Sequence, residues 1–522
     1  MYNEGKIWVA NNEQGEKISI LPRMANRHGL IAGATGTGKT ITLKVLAESF
    51  SDMDVPVFLA DVKGDLAGMM APGEDSADMQ ERIARFGLAE AGFTYQKYPV
   101  TFWDIYGEKG IQLRTTVTEI GPLLLARILG LNDLQSNILS VVFKIADDEG
   151  LLLVDTKDLK AMLNYVNENH KQFEMEYGRI APASVSAIIR AIVALETAGA
   201  DMFFGETALN INDWLTVGEG GKGMINILDS ESLINNGKLY STFLLWMLSE
   251  LFESMPEVGD MEKPKMVFFF DEAHLLFNDA SRLLLDKIEQ VVKLIRSKGI
   301  GIYFCTQNPK DVPDSVLAQL GNKIQHGLHA YTPADQRAVK AAADSFRVNP
   351  AFDTYETLLA LGTGEAVVSF LQEDGTPGIA EKVAVLPPQS RMGAITETER
   401  DQSVRGSLLY SKYANAYDPD SAYEFLARRG VELAAAAEEE KKRLEEEKLL
   451  EKERREQEKL QESEERKRRR AMKSTGSTVA GTIGREIGKV AGGAVGGRFG
   501  KTLGGNLGAS LFRGVLGTLF KD

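Results

Sequence analysis

The most constraining feature of this sequence is a short glycine-rich stretch that separates an apolar run from a helical pattern. Residues 29–32 predict a buried strand, and residues 41–50 predict the helix that follows. Between them, eight residues fit the pattern G-x-x-x-x-G-K-[ST], namely Gly33, Ala34, Thr35, Gly36, Thr37, Gly38, Lys39 and Thr40. Glycines let successive backbone N–H groups turn inward, and the positive end of the helix dipole points at the same place. The stretch therefore predicts a strand–loop–helix unit that binds phosphate groups.

Two side chains of this loop indicate which phosphate compound it binds. Lys39 would reach the β- and γ-phosphates of a nucleoside triphosphate, and the hydroxyl of Thr40 would hold Mg²⁺. The alternative is an ordinary glycine-rich turn, which the flanking strand and helix disfavour. The sequence therefore predicts a nucleoside triphosphate and Mg²⁺ as ligands.

A second motif supplies the carboxylates that such a loop needs. The apolar run 266–270 predicts a buried strand that ends in Asp271 and Glu272. Asp271 would hold Mg²⁺ through water and the Thr40 hydroxyl, and Glu272 would polarise the attacking water. An apolar run followed by two acidic residues is a weak signal alone, but together with the phosphate loop it predicts hydrolysis.

Residues 300–305 predict a further strand, with Gln307 close to its end. If this strand lies between the strand of the phosphate loop and the strand that ends in Asp271, Gln307 would be near the γ-phosphate as a sensor. The alternative is an ordinary polar residue at the end of a strand.

Asp61 and Lys63 follow the apolar run 55–60 and have two interpretations. Residues just past the carboxyl end of a parallel strand lie where ligands bind in doubly wound sheets. A turn with helix capping explains the same residues equally well.

Three stretches of the chain resemble the HerA-like branch of the FtsK–HerA translocases: residues 27–40, residues 270–274 and residues 305–309. The sequence is most similar to a bacterial group described as HerA-helicase-like, over about residues 5–395. The resemblance implies an α/β fold with a RecA-like P-loop NTPase core and a parallel sheet. It also implies a ring, expected to be a hexamer, that uses ATP to translocate on or unwind double-stranded DNA.

Two arginines are candidates to complete the site of a neighbouring subunit. Arg27 precedes the first core strand at the end opposite to the phosphate loop, about 20 Å from its own phosphates. It could therefore act only in a neighbour's site. Arg296, on the helix before the sensor strand, is similar to a family arginine. The alternative for each is a solvated surface residue.

Two features depart from the family pattern. HerA proteins carry an N-terminal β-barrel that docks a nuclease, and here about two dozen residues precede the first core strand, which argues against a nuclease partner.

The net charge is −14, and the residues before 438 carry about −19. Such a surface has no general affinity for nucleic acid, so a DNA contact would be a local patch or a pore lining. An ATPase that moves protein, or a nucleotide-gated scaffold at a membrane, is the competing interpretation; a binding module without catalysis is disfavoured by Glu272.

Composition and cysteine content predict a globular protein of the cytoplasm. The chain of 522 residues is 43% hydrophobic and 26% charged. Its one cysteine, Cys305, excludes an internal disulfide and suits a reducing compartment, and the apolar residues around it predict a buried strand position. The five histidines show no metal-ligand spacing, and no run of eighteen apolar residues occurs.

The predicted domain organisation alternates core and helical segments. The expected segments are a short N-terminal segment (1–26), a first segment of the ATPase core (27–117), a helical insertion (118–215), a second segment of the ATPase core (216–395), a helical linker (396–437), a charged helix (438–471) and a glycine-zipper tail (472–522).

The last two segments have distinct patterns. Residues 438–470 contain thirteen acidic and thirteen basic residues, which predicts a solvated helical spacer, with a coiled coil as the alternative. In the tail, glycine recurs at every fourth position from Gly484 to Gly508, a pattern that lets helices approach closely. We expect self-association or peripheral membrane contact through this tail, and disorder is the alternative.

Overall fold

The computed structural model describes residues 1–277 and 282–474 of the chain. The described residues divide into two units at residue 419, and the second unit is described from residue 420 to residue 474. The first unit contains all the described strands and most of the described helices.

A single sheet of thirteen described strands forms the centre of the first unit. The strands are β1 (Tyr2–Asn3), β2 (Lys6–Asn12), β3 (Lys17–Ile20), β4 (Gly29–Ala32), β5 (Val57–Asp61), β6 (Val100–Asp104), β7 (Ile111–Gln112), β8 (Ile225–Asp229), β9 (Met266–Phe270), β10 (Ile300–Thr306), β11 (Asn322–His326), β12 (Glu365–Ser369) and β13 (Glu381–Val385). Their order is β1-β2-β13-β12-β11-β4-β10-β9-β5-β8-β6-β7, with β3 paired to β2.

The pairing of neighbouring strands changes from parallel to antiparallel across the sheet. From β11 to β7 all neighbouring strands are parallel, whereas β12, β13 and the N-terminal strands pair antiparallel. The central strands are covered on both faces, which explains why β9 and β10 read as continuous apolar runs with every residue buried. The predicted α/β class with a parallel sheet is thus confirmed, and Cys305 is a buried residue of β10, as predicted.

The strand order places β10 between β4 and β9. Thr306 pairs with Ala32 of β4 in parallel register, and Phe304 pairs with Phe270 of β9. Since the carboxyl ends of these strands meet at one edge, the residues that follow them converge there. This is the arrangement on which the sensor hypothesis for Gln307 depends.

The described helices include one continuous run in the middle of the chain, from residue 117 to residue 197. They are α1 (Lys39–Asp52), α2 (Ala77–Phe86), α3 (Val117–Ile128), α4 (Asp133–Asp148), α5 (Thr156–Glu168), α6 (His170–Tyr177), α7 (Pro182–Thr197), α8 (Gly237–Ser254), α9 (His274–Phe277), α10 (Arg282–Leu294), α11 (Asp314–Leu317), α12 (Pro333–Asp344), α13 (Thr354–Ala360), α14 (Glu397–Gly406), α15 (Tyr410–Tyr413) and α16 (Ala422–Ser474). The run α3–α7 occupies the range predicted as a helical insertion. Taken one at a time, none of the described helices has the length and apolar character of a membrane span, although α6 and α7, bent by 102°, pass that test as a pair.

Helix α16, in the second unit, includes the predicted charged helix and begins earlier, at Ala422. Its charged part is exposed and carries ion pairs four residues apart, such as Lys442 with Glu438 and Arg455 with Glu451. Such exposed pairs each contribute only a few tenths of a kcal/mol. The glycine-zipper tail from residue 475 onward lies outside the described residues.

Candidate active site

The glycine-rich loop joins β4 to α1 at the carboxyl edge of the sheet, as the sequence predicts. Gly33, Gly36 and Gly38 have φ values of +156°, +79° and +116°, which favour glycine. Gly33 also has no room for a side chain, because an added Cβ would lie 2.5 Å from the Cβ of His326. The loop conformation thus requires glycine for backbone and for packing reasons.

Hydrogen bonds hold the loop to its neighbours. The backbone N–H of Gly33 donates to the carbonyl of Thr306 at 3.2 Å, and that of Ala34 donates to the carbonyl of Gly327 at 2.9 Å. The Thr37 hydroxyl donates to the Ala34 carbonyl at 2.7 Å. The first two bonds attach the loop to the ends of β10 and β11, and the third lies within the loop, while Thr35 and Gly36 face solvent.

Lys39, the first residue of α1, is buried and turns its ammonium group back toward the loop. Its Nζ donates to the carbonyl oxygens of Gly33 at 2.7 Å and Ala34 at 3.0 Å. Burial lowers the pKa of Lys39, the negative charge of Glu272 opposes this shift, and the positive charge of Lys63 adds to it. The three charged groups therefore belong to one site.

His326, the last residue of β11, packs against Gly33 of the loop and bonds to Thr42 of α1. No sequence motif indicated this role. Its Nε2 lies 2.8 Å from the Thr42 hydroxyl, and its Nδ1 lies 2.9 Å from the carbonyl oxygen of Glu365. The carbonyl can only accept, so Nδ1 carries the hydrogen and Nε2 accepts from Thr42. Burial lowers the pKa of His326 to about 4, so the ring is neutral. The role depends on the pairing of β11 with β4, which leaves no local signal in the sequence.

The two predicted acidic residues follow β9 directly. Burial and, after it, the negative charge of Glu272 raise the pKa of Asp271 to about 6. A divalent cation would relieve both effects, so Asp271 with the half-buried Thr40 fits a Mg²⁺ site. No group of three or more His, Cys, Asp or Glu side chains in the described part of the chain could hold a metal ion.

Glu272 has a left-handed backbone, with φ of +47°, and an almost fully buried side chain. The Lys63 ammonium lies 2.7 Å from Oε1, and Gln307 Nε2 donates to both carboxylate oxygens at 3.3 Å. His274 Nδ1 lies 3.3 Å from Oε2. Burial pushes the pKa of Glu272 upward, but the bond and charge of Lys63, with Gln307, hold it below its usual value. The carboxylate is therefore ionised at neutral pH.

Gln307 connects this carboxylate to the phosphate loop. The Thr35 hydroxyl donates to Gln307 Oε1 at 3.4 Å, while the amide nitrogen of the same side chain reaches Glu272. The structure therefore brings Gln307 and Glu272 to the loop, as expected from the sequence.

Lys63 is a residue for which the sequence left two interpretations open. Asp61, at the end of β5, accepts hydrogen bonds from the backbone N–H groups of Lys63, Gly64 and Leu66 and so shapes the turn. The turn interpretation is therefore correct for Asp61, but Lys63 reaches Glu272. In the sequence, the only indication that Lys63 belongs to the site was its position just after the end of a predicted strand, β5, which pairs with β9 in the structure.

The two arginines lie away from Lys39, at the opposite edge of the sheet. Arg27 ends a short 3-10 helix just before β4, is half-buried, and makes no ion pair with a carboxylate in the described ranges. Arg296 lies in the turn before β10, with its guanidinium 3.7 Å from Asp260. Neither can act on the phosphate loop of its own chain, and their role in a neighbouring chain stays a prediction.

Both the whole sequence and the fold are similar to known proteins. The sequence matches the family described as Helicase HerA-like C-terminal over residues 6–519. The DNA double-strand break repair helicase HerA of Sulfurisphaera tokodaii is 23% identical over 381 residues, which cover 70% of this chain and 67% of that protein. The protein of the same name from Sulfolobus acidocaldarius is 22% identical over 374 residues, which cover 70% of this chain and 66% of that protein.

Solved structures of low sequence identity also have a similar fold, as one example shows. The bacterial conjugative coupling protein TrwBdeltaN70, in an unbound form, has a TM-score of 0.52 at 14% identity and covers 76% of this chain and 92% of its own. The chain spans about two thirds of the length of the curated HerA relatives. The family match over almost the whole sequence confirms the resemblance seen in residues 27–40, 270–274 and 305–309, and this protein belongs to the HerA-like helicase family of P-loop ATPases.

Proposed function

We propose that this protein hydrolyses ATP as a ring-forming motor that translocates on or unwinds double-stranded DNA. The observation that carries the ATPase part is the convergence of Lys39, Gln307 and Glu272 at one edge of the sheet. They come from α1 and from the ends of β10 and β9. Lys39 donates to the carbonyl of Gly33 in the phosphate loop, Thr35 of the same loop donates to Gln307, and Gln307 donates to Glu272. This is the arrangement that in-line attack on a γ-phosphate requires.

The chemistry assigned to these residues is hydrolysis of the terminal phosphate. The oxygen of a water molecule attacks the γ-phosphorus, and the bond from that phosphorus to the bridging oxygen breaks. Glu272 accepts a proton from the water, and ADP leaves with the electron pair of the broken bond. Lys39 stabilises charge on the β- and γ-phosphates, and Gln307 orients the water beside Glu272. Mg²⁺, held by Thr40 and Asp271, would supply further charge neutralisation.

The ring is proposed because neither candidate arginine lies at the phosphate loop of its own chain. Arg27 and Arg296 lie at the amino ends of β4 and β10, whereas the phosphate loop lies at the carboxyl ends. In a closed ring these arginines would face the phosphate loop of the next copy, and a hexamer is the expected size. Mass photometry of the full chain with Mg²⁺ and ATP tests this assembly. Six copies are expected, and a monomer at every concentration would contradict it.

The substrate proposal rests on the two HerA relatives, which are named as DNA double-strand break repair helicases. ATP hydrolysis should rise when linear duplex DNA is added and should fall back as salt increases from about 50 to about 200 mM, because phosphate contacts release counterions. The Glu272→Gln variant should bind ATP without hydrolysing it, and Lys39→Ala should lose binding. Absence of ATP hydrolysis in the wild-type protein with and without DNA would refute the enzyme.

The acidic charge before residue 438 favours one alternative, a motor that moves protein. The same assay separates the two, with an unfolded polypeptide in place of DNA. Stimulation by polypeptide and none by duplex DNA would replace DNA as the substrate, while the ATPase proposal would stand.

A further inference from the structure

Lys63 forms the closest contact of the proposed catalytic carboxylate. Its ammonium lies 2.7 Å from Oε1 of Glu272, whose side chain is only 5% exposed. The oxygens of Glu272 also contact Gln307 and His274. A carboxylate that polarises water must offer a lone pair to that water, so the Lys63 contact competes with the proposed function of Glu272.

The position of Lys63 follows from the sheet. Strand β5 pairs with β9 in parallel register, with Ala60 beside Phe270, so the residues after the two strands are neighbours. The buried Asp61 fixes the turn by accepting hydrogen bonds from three backbone N–H groups that follow it. The backbone of Lys63 is therefore held in place, while its long side chain is 44% exposed and can change direction.

Lys63 also lies within reach of the expected γ-phosphate position. In the proposed reaction the attacking water lies between Glu272 and the γ-phosphorus, about 3 Å from the carboxylate. An ammonium in contact with the same carboxylate is then separated from the phosphate oxygens by roughly the size of one water molecule. The pKa of Lys39 responds to the charge of Lys63, which agrees with this proximity.

We propose that Lys63 detects the γ-phosphate: it pairs with Glu272 until ATP binds, and then transfers its ammonium group to the γ-phosphate oxygens. A γ-phosphate carries more negative charge than one carboxylate and offers several acceptor oxygens, so the exchange is favourable. The transfer leaves Glu272 free to polarise water. ADP has no γ-phosphate, so with ADP bound Lys63 keeps Glu272 engaged. This inference rests on the proposed ATPase function. It assigns to Lys63 the ability of the site to distinguish bound ATP from bound ADP.

The test measures nucleotide preference and turnover in the full chain. Affinities for ADP and for a non-hydrolysable ATP analogue with an intact triphosphate are measured for the wild type, Lys63→Met, Lys63→Arg and Lys310→Met. Lys310 is an exposed lysine near the same edge of the sheet, and its variant removes the same charge. Lys63→Met should lose the preference for the triphosphate by about tenfold and reduce kcat by at least as much, with ADP affinity unchanged. Lys63→Arg should keep most of the preference, and Lys310→Met should behave as wild type.

Two outcomes would overturn the inference. An unchanged triphosphate preference in Lys63→Met would show that the ammonium does not contact the γ-phosphate. Equal losses of affinity for both nucleotides would indicate a structural role. Both outcomes are distinct from failure of the proposed function, which would appear as no ATP hydrolysis by the wild type.

Discussion

His28 accepts a hydrogen bond at Nδ1 from the backbone N–H of Ile302, 3.0 Å away in the interior of the ATPase core. Its Nε2 lies 2.8 Å from the carbonyl oxygen of Val292 and therefore carries the hydrogen. The ring connects the start of β4 with β10 and α10. Burial is the main reason that the pKa of His28 falls to about 4; the bond to Val292 opposes the shift, and the charge of Arg296 adds to it.

The first prediction concerns acid stability. Between pH 6.5 and 4 the unfolded chain protonates His28 while the folded protein does not, so the free energy of unfolding decreases as the pH falls through this window. The neutral, buried His28 makes the free energy of unfolding about 3 kcal/mol larger above pH 6.5 than below pH 4. Urea unfolding at several pH values, compared between wild type and His28→Asn, measures the effect. The backbone at this position, with φ of 57° and ψ of 169°, is strained for both His and Asn, and Asn does not titrate, so the pH dependence should become shallower.

The second prediction concerns the phosphate loop. Gly33→Ala should weaken ATP binding at least about tenfold, because its Cβ would lie 2.5 Å from His326 Cβ and 2.9 Å from Thr37 Oγ1. Gly36→Ala is a matched control, since its Cβ would meet nothing within 4 Å and only the φ of +79° is strained, at a cost of about 1 kcal/mol. Fluorescent ATP titration gives both affinities. Equal losses in the two variants would show that the close packing against His326 does not matter.

The third prediction concerns Glu48, a buried carboxylate on α1, the helix that follows the phosphate loop. Glu48 of α1 accepts hydrogen bonds from the backbone N–H groups of Gln389 at 2.8 Å and Ser390 at 3.1 Å, and also from the Ser390 hydroxyl. Glu48→Ala would remove the acceptor of two buried backbone N–H groups and of the Ser390 hydroxyl, and should lower the free energy of unfolding by about 3 kcal/mol. Ser390→Ala keeps both backbone donors paired and should cost about 1 kcal/mol. Chemical denaturation measures both, and a larger loss for Ser390→Ala would contradict the assignment.

The fourth prediction concerns Arg27. If Arg27 completes a neighbour's site, Arg27→Ala should lower kcat about a hundredfold or more while the ATP affinity of the chain is retained. Arg23→Ala removes an exposed arginine from the same 3-10 helix and should leave kcat unchanged.

A mixing experiment shows whether Arg27 acts between chains. Arg27→Ala lacks the arginine but has an intact phosphate loop, and Lys39→Ala has the reverse defect. Mixed assemblies should recover some of the activity, because some Arg27→Ala subunits then lie beside an intact Arg27. Mixtures no more active than their separate components would place Arg27 outside the neighbour's site.

The phosphate loop and the carboxylate strand were predictable from sequence because their signals are local. The glycines from Gly33 to Gly38 encode backbone angles that other residues rarely adopt, and Lys39 follows at a fixed spacing. The apolar run before Asp271 is continuous because a central parallel strand is covered on both faces. Each pattern occupies a few consecutive residues, so each can be recognised without knowing the rest of the fold.

Contacts between distant regions of the chain were decided only by the tertiary structure. Lys63 and Glu272 are 209 positions apart, and Thr42 and His326 are 284 positions apart. Each pair meets because two strands, β5 with β9 and β4 with β11, are neighbours in the sheet. The sequence by itself supplied the local patterns that predict which residues bind and hydrolyse a triphosphate. The strand order decided which of them touch, because long-range strand pairing depends on the packing of the whole core and leaves no local pattern.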